Sequence, residues 1–216
     1  MIRHIVWDWN GTLFNDVMLG LESANALLTG HDMPLLAEAE DYRQIFGFPI
    51  DGYYQRLGFR FERVPFEQLA AEWMAFYQPR SLSCSLTPGA EEALRFLRER
   101  GTGQTLLSAS HREKLLEQVR QYAIETYFDG ILGIEDIYAK SKLELAKRFF
   151  SQGRVSPVET LFIGDSLHDW EVAAEVGAKC LLYTRGHQCE TALLHTGCPL
   201  INNLNRLPEF LQAAEL

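Results

Sequence analysis

Basic residues are scarce in this sequence, and none of the first 113 residues is a lysine. Lys and Arg together number 20 against 29 Asp and Glu, which gives a formal net charge of −9. A protein that binds nucleic acid or an acidic membrane needs a basic face to attract the phosphates. We therefore expect neither nucleic acid nor a membrane among the partners of this chain.

Cysteines and long apolar runs are also few. Cys84, Cys180, Cys189 and Cys198 form no CxxC pair, so we expect reduced, packed thiols and no disulfide framework. No apolar run approaches the roughly 18 residues that a membrane-spanning helix needs. With 47% hydrophobic and 23% charged residues, the composition is typical of an ordinary globular protein. These features predict a soluble, cytoplasmic protein.

Short apolar runs that stop at polar or glycine-rich positions predict the strands. Four are clear, namely HIVW before Asp8, TLL before Ser108, TLFIG before Asp165 and KCLLY before Thr184, and a weaker fifth is FDGILG at 128–133. Amphipathic helical patterns lie between them. Strands that alternate with helices predict an α/β fold, a Rossmann-like parallel sheet with helices on both faces. Ligands of such sheets bind beyond the carboxyl ends of the strands.

Residues 16–79 interrupt this alternation. Their sequence contains helical patterns such as LGLESANALLTG and PFEQLAAEWMAFYQ and no convincing strand. This segment is far longer than a strand-to-strand crossover requires. We therefore expect an inserted all-helical cap domain at 16–79 and an α/β core domain formed by 1–15 and 80–216.

Four polar clusters follow the predicted strands in order. They are Asp8-x-Asn10-Gly11-Thr12, Ser108-Ala109-Ser110, Lys142, and Gly164-Asp165-Ser166-x-x-Asp169. In these motifs the sequence resembles the haloacid dehalogenase superfamily, in its phosphoglycolate-phosphatase-like branch with a helical cap. The resemblance implies a magnesium-dependent phosphomonoesterase that acts on a small soluble phosphorylated metabolite through an aspartyl-phosphate intermediate. The oligomeric state is left open.

The resemblance also implies roles for individual residues. Asp8 matches the nucleophile and, with Asp165 and Asp169, the Mg²⁺ site, because Mg²⁺ prefers oxygen ligands. Asn10 would contribute to the metal site through its backbone carbonyl. Lys142 would neutralise charge on the phosphate and on Asp8, with Lys140 as a competing assignment.

A further set would bind the phosphoryl oxygens through side-chain hydroxyls or backbone amides. Its members are Gly11, Thr12, Ser108, Ala109 and Ser110.

The amide at position 10 raises a second interpretation. Phosphatases of this superfamily normally carry aspartate there as the general acid and base, and asparagine has no proton to give at neutral pH. Losing that help costs roughly two to four orders of magnitude in rate. A catalytically weakened phosphate-binding or regulatory protein is therefore an alternative, and a phosphomutase is less favoured. His111, His168 and His187 lie beside the motifs, and His111 or His168 would most simply replace the missing acid.

The predicted cap contains several further candidates. Trp73, Phe76 and Tyr77 follow one another at helical spacing and are expected in the core. Better candidates for the site are Tyr53, Tyr54, Arg43 and Arg56, although structural roles are favoured for these residues too. The segment has no lysine, which argues against the Schiff-base chemistry of phosphonate hydrolases.

Overall fold

The computed structural model describes residues 1–134 and 141–213, so Lys140 lies outside the described residues. The described chain contains eight strands: β1 His4–Trp7, β2 Phe14–Asn15, β3 Ser85–Leu86, β4 Gly103–His111, β5 Gly130–Ile134, β6 Thr160–Gly164, β7 Lys179–Tyr183 and β8 Leu200–Ile201. Its α-helices are α1 Val17–Gly30, α2 Ala39–Ile45, α3 Ile50–Arg56, α4 Phe66–Ser81, α5 Ala90–Glu99, α6 Arg112–Gln121, α7 Lys142–Ser151, α8 Leu167–Val176, α9 Glu190–Leu194 and α10 Leu207–Ala213.

Six of the strands form one parallel sheet in the order β5-β4-β1-β6-β7-β8. β1 is central and pairs with β4 on one side and β6 on the other, so His4 aligns with both Gly103 and Thr160. The predicted Rossmann-like sheet is confirmed. All five predicted strands are present, and the sequence patterns missed the two-residue strand β8 at the edge.

Helices cover both faces of the sheet, as predicted. Side chains alternate along β1, so that Ile5 and Trp7 pack on one face and Val6 packs on the other. The first face is covered by α5, α6 and α10, and the second by α7, α8 and α9. Burial on both faces explains why the strands read as continuous apolar runs.

Helices α1 to α4 occupy the segment predicted as a cap. Apolar and aromatic residues of these helices form a hydrophobic cluster of their own. The short antiparallel pair β2 and β3 lies where this segment leaves and rejoins the rest of the chain. Helix α4 continues through Pro79 to Ser81, slightly past the expected boundary at 79/80. The division into two domains stays a prediction.

Among the described residues, no helix combines the length and the apolar character needed to cross a membrane. All four cysteines are free thiols, in line with the sequence-based expectation.

Candidate active site

The predicted functional residues lie at the carboxyl edge of the sheet, where the strand order reverses. From the central β1 the sheet extends through β4 to β5 in one direction and through β6 to β8 in the other. Crevices form at such topological switch points, because the connections on either side diverge to opposite faces. Asp8, Asn10, Ser108 and Asp165 all lie in or beside the turns at this edge.

Three carboxylates meet there. Asp8 follows β1, Asp165 follows β6, and Asp169 lies in the first turn of α8. One oxygen from each lies within 4.8 Å of the other two, and all three residues are nearly or fully buried. Their sequence separations exceed 150 residues between Asp8 and the other two, so the parallel sheet alone brings them together.

Lys142 neutralises part of this acidic cluster. It is the first residue of α7, whose N-cap Ser141 accepts a hydrogen bond from the Glu144 amide at 3.2 Å. The buried ammonium group donates to Asp8 Oδ1 and to Asp169 Oδ1, the latter at 2.5 Å. Burial alone would lower the pKa of Lys142, but Asp169 and Asp8 hold it above the usual value. Lys142 is therefore a fixed positive charge beside Asp8.

Burial disfavours the ionised forms of Asp8 and Asp165. Burial raises the pKa of Asp8 to about 6, although Lys142 opposes the shift. Burial likewise raises the pKa of Asp165 to about 8, and the neighbouring carboxylates of Asp8 and Asp169 add to it. Groups whose ionised forms are destabilised in this way gain from a cation that replaces the lost solvent.

Asp169 is held by the protein through both oxygens. Its Oδ2 accepts from the Ser166 hydroxyl at 2.6 Å and from the Asp165 and Ser166 amides at 3.1 and 3.0 Å. With Ser166 it forms a reciprocal capping box at the start of α8. Asp169 therefore positions Lys142 and the backbone at Asp165. A direct bond from Asp169 to a metal would add to these hydrogen bonds.

The donor set fits Mg²⁺. All three side chains offer hard oxygen ligands, and an octahedral shell with bonds of about 2.1 Å spans about 4.2 Å between opposite oxygens. The three carboxylate oxygens lie within 4.8 Å of one another, which is close to that span. Residues that would hold the ion are Asp8 and Asp165, with Asp169 beside them. The predicted contribution of the Asn10 backbone carbonyl stays a prediction.

Three residues predicted to bind phosphate line the cavity beside this cluster: Ser108, Ala109 and Ser110. Ser108 is buried, and its hydroxyl oxygen accepts from the Ser110 amide at 3.1 Å. This bond lies in the last part of β4, where the pairing with β5 is irregular between Leu107 and His111. The assignment of the three residues to phosphate stays a prediction.

The Gly11 and Thr12 amides already donate within the chain. The Gly11 amide donates to Asp16 Oδ1 at 2.8 Å and to the Phe14 carbonyl, and the Thr12 amide donates to the Trp9 carbonyl. The Thr12 hydroxyl lies 3.1 Å from Asp8 Oδ2 and 3.3 Å from Asp165 Oδ1. Thr12 therefore orients the two carboxylates, and its predicted binding of phosphate stays a prediction.

The Asn10 side chain is fixed at both ends. Its Nδ2 donates to Asp16 Oδ2 at 2.8 Å and to the Tyr77 hydroxyl at 2.9 Å, and its Oδ1 accepts from Ser110 Oγ at 2.8 Å. Tyr77 in turn donates to Asp16 Oδ2 at 2.6 Å. The Asp16 carboxylate is thus hydrogen-bonded directly to the side chain at position 10.

His187 closes this network from the opposite side. Its Nε2 lies 3.0 Å from Asp16 Oδ1, and its Nδ1 lies 2.8 Å from the Tyr42 hydroxyl. Burial would lower the pKa of His187, but Asp16 raises it to about 9. Burial would raise the pKa of Asp16, yet His187 and Tyr77 hold it below its usual value. The two therefore form a buried ion pair, and both nitrogens of His187 have partners.

A cavity of about 370 Å³ opens above the carboxylates. His111 and His168, the suggested replacements for the missing acid, both line it, as do Tyr53 and Tyr54.

Trp73 and Tyr77 line the same cavity rather than packing only in a core, because α4 turns this face towards the site. Arg43 and Arg56 instead donate to backbone carbonyls, namely those of Gly186, Arg185, Ile45 and Gly47, and neither lines the cavity.

Sequence reasoning missed the Asp16 network and the glycine at 186. A Cβ at Gly186 would overlap the Asp165 side chain, so the absence of a side chain there makes room for the carboxylate. Tyr42, Tyr77 and His187 come from three distant parts of the chain, and no local pattern connects them. The one available signal was Asp16, a buried acid eight residues after Asp8.

Together, the parallel sheet and the buried carboxylate cluster at its switch point define an α/β protein with a buried acidic site. A family model described as "Haloacid dehalogenase-like hydrolase" matches residues 5–183. The chain belongs to this family. The resemblance carried by the four sequence motifs is thereby confirmed.

Individual relatives agree with this assignment. A phosphoglycolate phosphatase of Pseudomonas putida is 29% identical over 122 residues, which are 56% of this chain and 45% of that protein. The chain thus matches about half the length of that relative. Phosphoglycolate phosphatase 1 of Pseudomonas aeruginosa is 25% identical over 99% of this chain and 82% of its own length.

The fold recurs among solved structures. A haloacid dehalogenase-like family protein from Streptococcus pneumoniae superposes with a TM-score of 0.82 over 97% of this chain and 98% of that one, at 19% identity. At this identity the likeness establishes the fold alone.

Proposed function

We propose that this protein is a magnesium-dependent phosphomonoesterase that transfers the phosphoryl group of a small metabolite to Asp8 and then to water. The observation that carries the proposal is the burial of Asp8, Asp165 and Asp169 in one cluster, with Lys142 bonded to two of them. The named relatives act on phosphoglycolate, which supports a small phosphorylated substrate.

The charges explain why such a site would react with a phosphate ester. A dianionic ester repels a carboxylate nucleophile, so the attack requires neighbouring positive charge. When bound, Mg²⁺ would supply part of that charge and would favour the ionised form of Asp8. Lys142 supplies the rest beside Asp8 Oδ1, while Thr12 orients Asp8 Oδ2. Ser108 and the end of β4 that follows it would bind the remaining phosphoryl oxygens.

The network around Asn10 would hold these catalytic groups in place. It would not transfer a proton to the leaving oxygen of the ester. The amide connects Asp16 and Tyr77 on one side with Ser110 on the other. In the absence of an acid at position 10, the leaving oxygen must depart without a proton from that side chain. A reduced rate on simple alkyl esters follows.

A second candidate function is a phosphate-binding or regulatory protein with little turnover. It is favoured by one observation, the amide at position 10. A phosphomutase is supported less, because its phosphoryl shuttling needs the same acid and base.

A phosphate-release assay on a panel of phosphorylated metabolites tests the proposal. We expect release with Mg²⁺, loss of release with a chelator, and loss in Asp8→Asn, which keeps the shape of the nucleophile. Phosphate binding without release in the native protein, combined with brisk turnover in Asn10→Asp, would favour the regulatory candidate instead. Release that persists after complete removal of divalent cations would contradict the magnesium-dependent mechanism.

A further inference from the structure

The cavity wall contributed by the predicted cap is rich in aromatic rings and has no cation. Twelve of the lining residues lie between 16 and 79, and none of these twelve is Lys, Arg or His. Seven are aromatic: Tyr42, Phe46, Phe48, Tyr53, Tyr54, Trp73 and Tyr77.

These rings contact one another around the cavity. Phe46 lies 5.4 Å from Tyr42 and 5.3 Å from Tyr53, measured between ring centroids, and Trp73 stacks on Tyr77 at 4.7 Å. Phe48 stacks on His168 at 4.6 Å. Outside this wall, Lys142, Lys114 and His187 line the cavity, and each already has an anionic partner. Lys142 is bonded to Asp8 and Asp169, Lys114 is half exposed and paired with Glu117, and His187 is paired with Asp16.

Such a wall favours a substrate whose leaving group is an apolar, planar ring over a substrate whose leaving group carries a carboxylate. A buried carboxylate needs a cation or several donors, because its desolvation is otherwise very costly. An aromatic ring instead gains from area burial and from stacking on the surrounding rings. A benzene-sized ligand occupies a cavity of about 150 Å³, so 370 Å³ leaves room for a ring and its phosphoryl group.

Two polar atoms of the wall have no partner among the described residues. They are the hydroxyl of Tyr53 and the indole Nε1 of Trp73, both inaccessible to solvent. An unsatisfied buried donor is uncommon and is itself unfavourable. Both atoms belong to cavity-lining residues, and Tyr53 is 2% exposed. A small rotation of either side chain towards the cavity would bring its polar atom to a hydrogen-bond acceptor on a ligand there.

The chemistry at position 10 points in the same direction. Asn10 gives no proton to the leaving oxygen, so that oxygen must carry the negative charge itself. A phenolic oxygen does so readily, since its pKa is about 10 against about 16 for water. The cavity and the amide therefore favour the same kind of ester for separate reasons.

We propose that the substrate of this site is an aryl phosphate, a phosphate ester of a phenolic oxygen on an aromatic ring that bears a hydrogen-bond acceptor. This proposal rests on the phosphomonoesterase function proposed above. The Asp8 carboxylate forms a bond to phosphorus, the bond from phosphorus to the aryl oxygen breaks, and the electron pair leaves on that oxygen as a phenolate. The phenolate takes a proton from solvent. Water then attacks phosphorus, and the bond from phosphorus to the Asp8 oxygen breaks with its electron pair on that oxygen. This restores the Asp8 carboxylate and releases phosphate, and the proton that the water loses goes to solvent.

A matched set of substrates separates ring binding from leaving-group chemistry. Phenyl phosphate and benzyl phosphate carry the same ring, but only the first has a phenolic leaving oxygen. Pyridin-3-yl phosphate adds an acceptor atom, and phosphoglycolate represents a small carboxylate. We expect kcat/KM for phenyl phosphate to exceed that for phosphoglycolate by at least about 100-fold, with benzyl phosphate between them.

Two variants test the unpartnered donors. Tyr53→Phe deletes only the hydroxyl, and Trp73→Phe removes the indole nitrogen. We expect each to lower the ratio of kcat/KM for pyridin-3-yl phosphate over phenyl phosphate by about 3- to 10-fold. Tyr127→Phe, outside the cavity, is the matched control and should leave that ratio unchanged.

A third variant tests the leaving-group argument. Across substituted phenyl phosphates, kcat/KM should fall steeply as the pKa of the leaving phenol rises. Asn10→Asp should flatten this dependence, because a protonated carboxyl at position 10 would assist departure.

The possible failures are distinguishable. A kcat/KM for phosphoglycolate that equals or exceeds that for phenyl phosphate would overturn the aryl phosphate proposal and leave the phosphomonoesterase function intact. Equal values for phenyl and benzyl phosphate would overturn the assignment of a phenolic leaving group. Release of phosphate from none of these esters, with Mg²⁺ present, would overturn both proposals.

Discussion

At position 10, an amide is the side chain that the neighbouring Asp16 requires. Asp16 is buried, carries a negative charge favoured by His187 and Tyr77, and accepts a hydrogen bond from Asn10 Nδ2. A second carboxylate at position 10 would meet it within 2.8 Å. Two carboxylates at this distance do not both ionise without a large cost.

We therefore predict that Asn10→Asp destabilises the metal-free protein at pH 8 by about 2–3 kcal/mol. The two carboxylates would share a proton, so the pKa of the pair is raised in the folded state. The folded protein then binds more protons than the unfolded chain, and stability returns as the pH falls. Thermal unfolding of the chelator-treated protein at pH 8 and pH 6 measures this.

Asn15→Asp is the matched control, since Asn15 is an exposed asparagine close by in the chain. It should shift the melting temperature little at either pH. An Asn10→Asp protein as stable as the native one at pH 8 would show that the contact with Asp16 is not the reason for the amide.

His4, far from the carboxylates in the sheet, gives a second prediction at this scale. Its Nε2 lies 2.9 Å from the Thr105 hydroxyl, and burial lowers the pKa of His4 below 6.5. The unfolded chain therefore takes up a proton before the folded protein does, and the contribution of His4 to stability is lost as the pH falls below 6.5.

We expect His4→Gln to weaken the fall in melting temperature between pH 7 and pH 5 relative to the native protein. His195→Gln is the control, because His195 is exposed on the surface. An unchanged pH dependence in His4→Gln would indicate that His4 titrates normally.

Among the elements, the turns after the strands decide where the carboxylates point. Gly11 and Gly186 both approach Asp165, and a Cβ at either position would overlap its side chain. Gly11 also has a positive φ of 72°, which glycine adopts without strain. Gly186 has no such constraint, so a substitution there tests the close approach alone.

We predict that Gly186→Ala raises the Mg²⁺ concentration needed for half-maximal activity by about tenfold or more, since altering a residue that orients a metal ligand typically costs about 10- to 100-fold in metal affinity. The measurement is phosphate release as a function of Mg²⁺. Gly30→Ala, where a Cβ would meet nothing within 4 Å, should behave as the native protein. Equal Mg²⁺ dependence in Gly186→Ala would mean that Asp165 moves aside freely or does not hold the ion.

Elements with a strong local pattern were predictable, and short ones were not. The five predicted strands are buried runs of apolar residues, and helix α5 has acids in its first turn and an arginine in its last, as the helix dipole favours. Strands β2, β3 and β8 have two residues each, which is too short for any periodicity. The sequence predicts a domain boundary after Pro79. Helix α4 nevertheless continues through Pro79 to Ser81, and Tyr77 and Ser81 are both buried.

For the whole molecule, three of the 29 acidic residues lie together in one buried cluster, where their negative charges are unfavourable. Asp165, with its pKa raised to about 8, binds a proton more tightly in the folded protein than in the unfolded chain. Its contribution to stability is thus present at low pH and lost as the pH rises through 8. A bound cation would replace that proton, and metal binding would release it.

We predict that the chelator-treated protein melts at a lower temperature at pH 8.5 than at pH 6.5, and that Mg²⁺ raises the melting temperature more at the higher pH. The apparent affinity for Mg²⁺ should rise by up to about tenfold per pH unit for each proton displaced. Titration calorimetry at the two pH values measures it. Asp165→Asn should lose most of this pH dependence, and an affinity independent of pH in the native protein would contradict the assignment.

The sequence by itself determined the α/β class and predicted that Asp8, Ser108, Lys142 and Asp165 lie together at one edge of the sheet. It did so because buried parallel strands read as local apolar runs, and because the carboxyl ends of such strands must meet at one edge of the sheet. Only the tertiary structure decided the partners of Asn10, the unpartnered hydroxyl of Tyr53 and the aromatic wall of the cavity. The contact between Asn10 and Ser110, for example, joins residues 100 positions apart, and side-chain packing across such separations leaves no periodic signal in the chain.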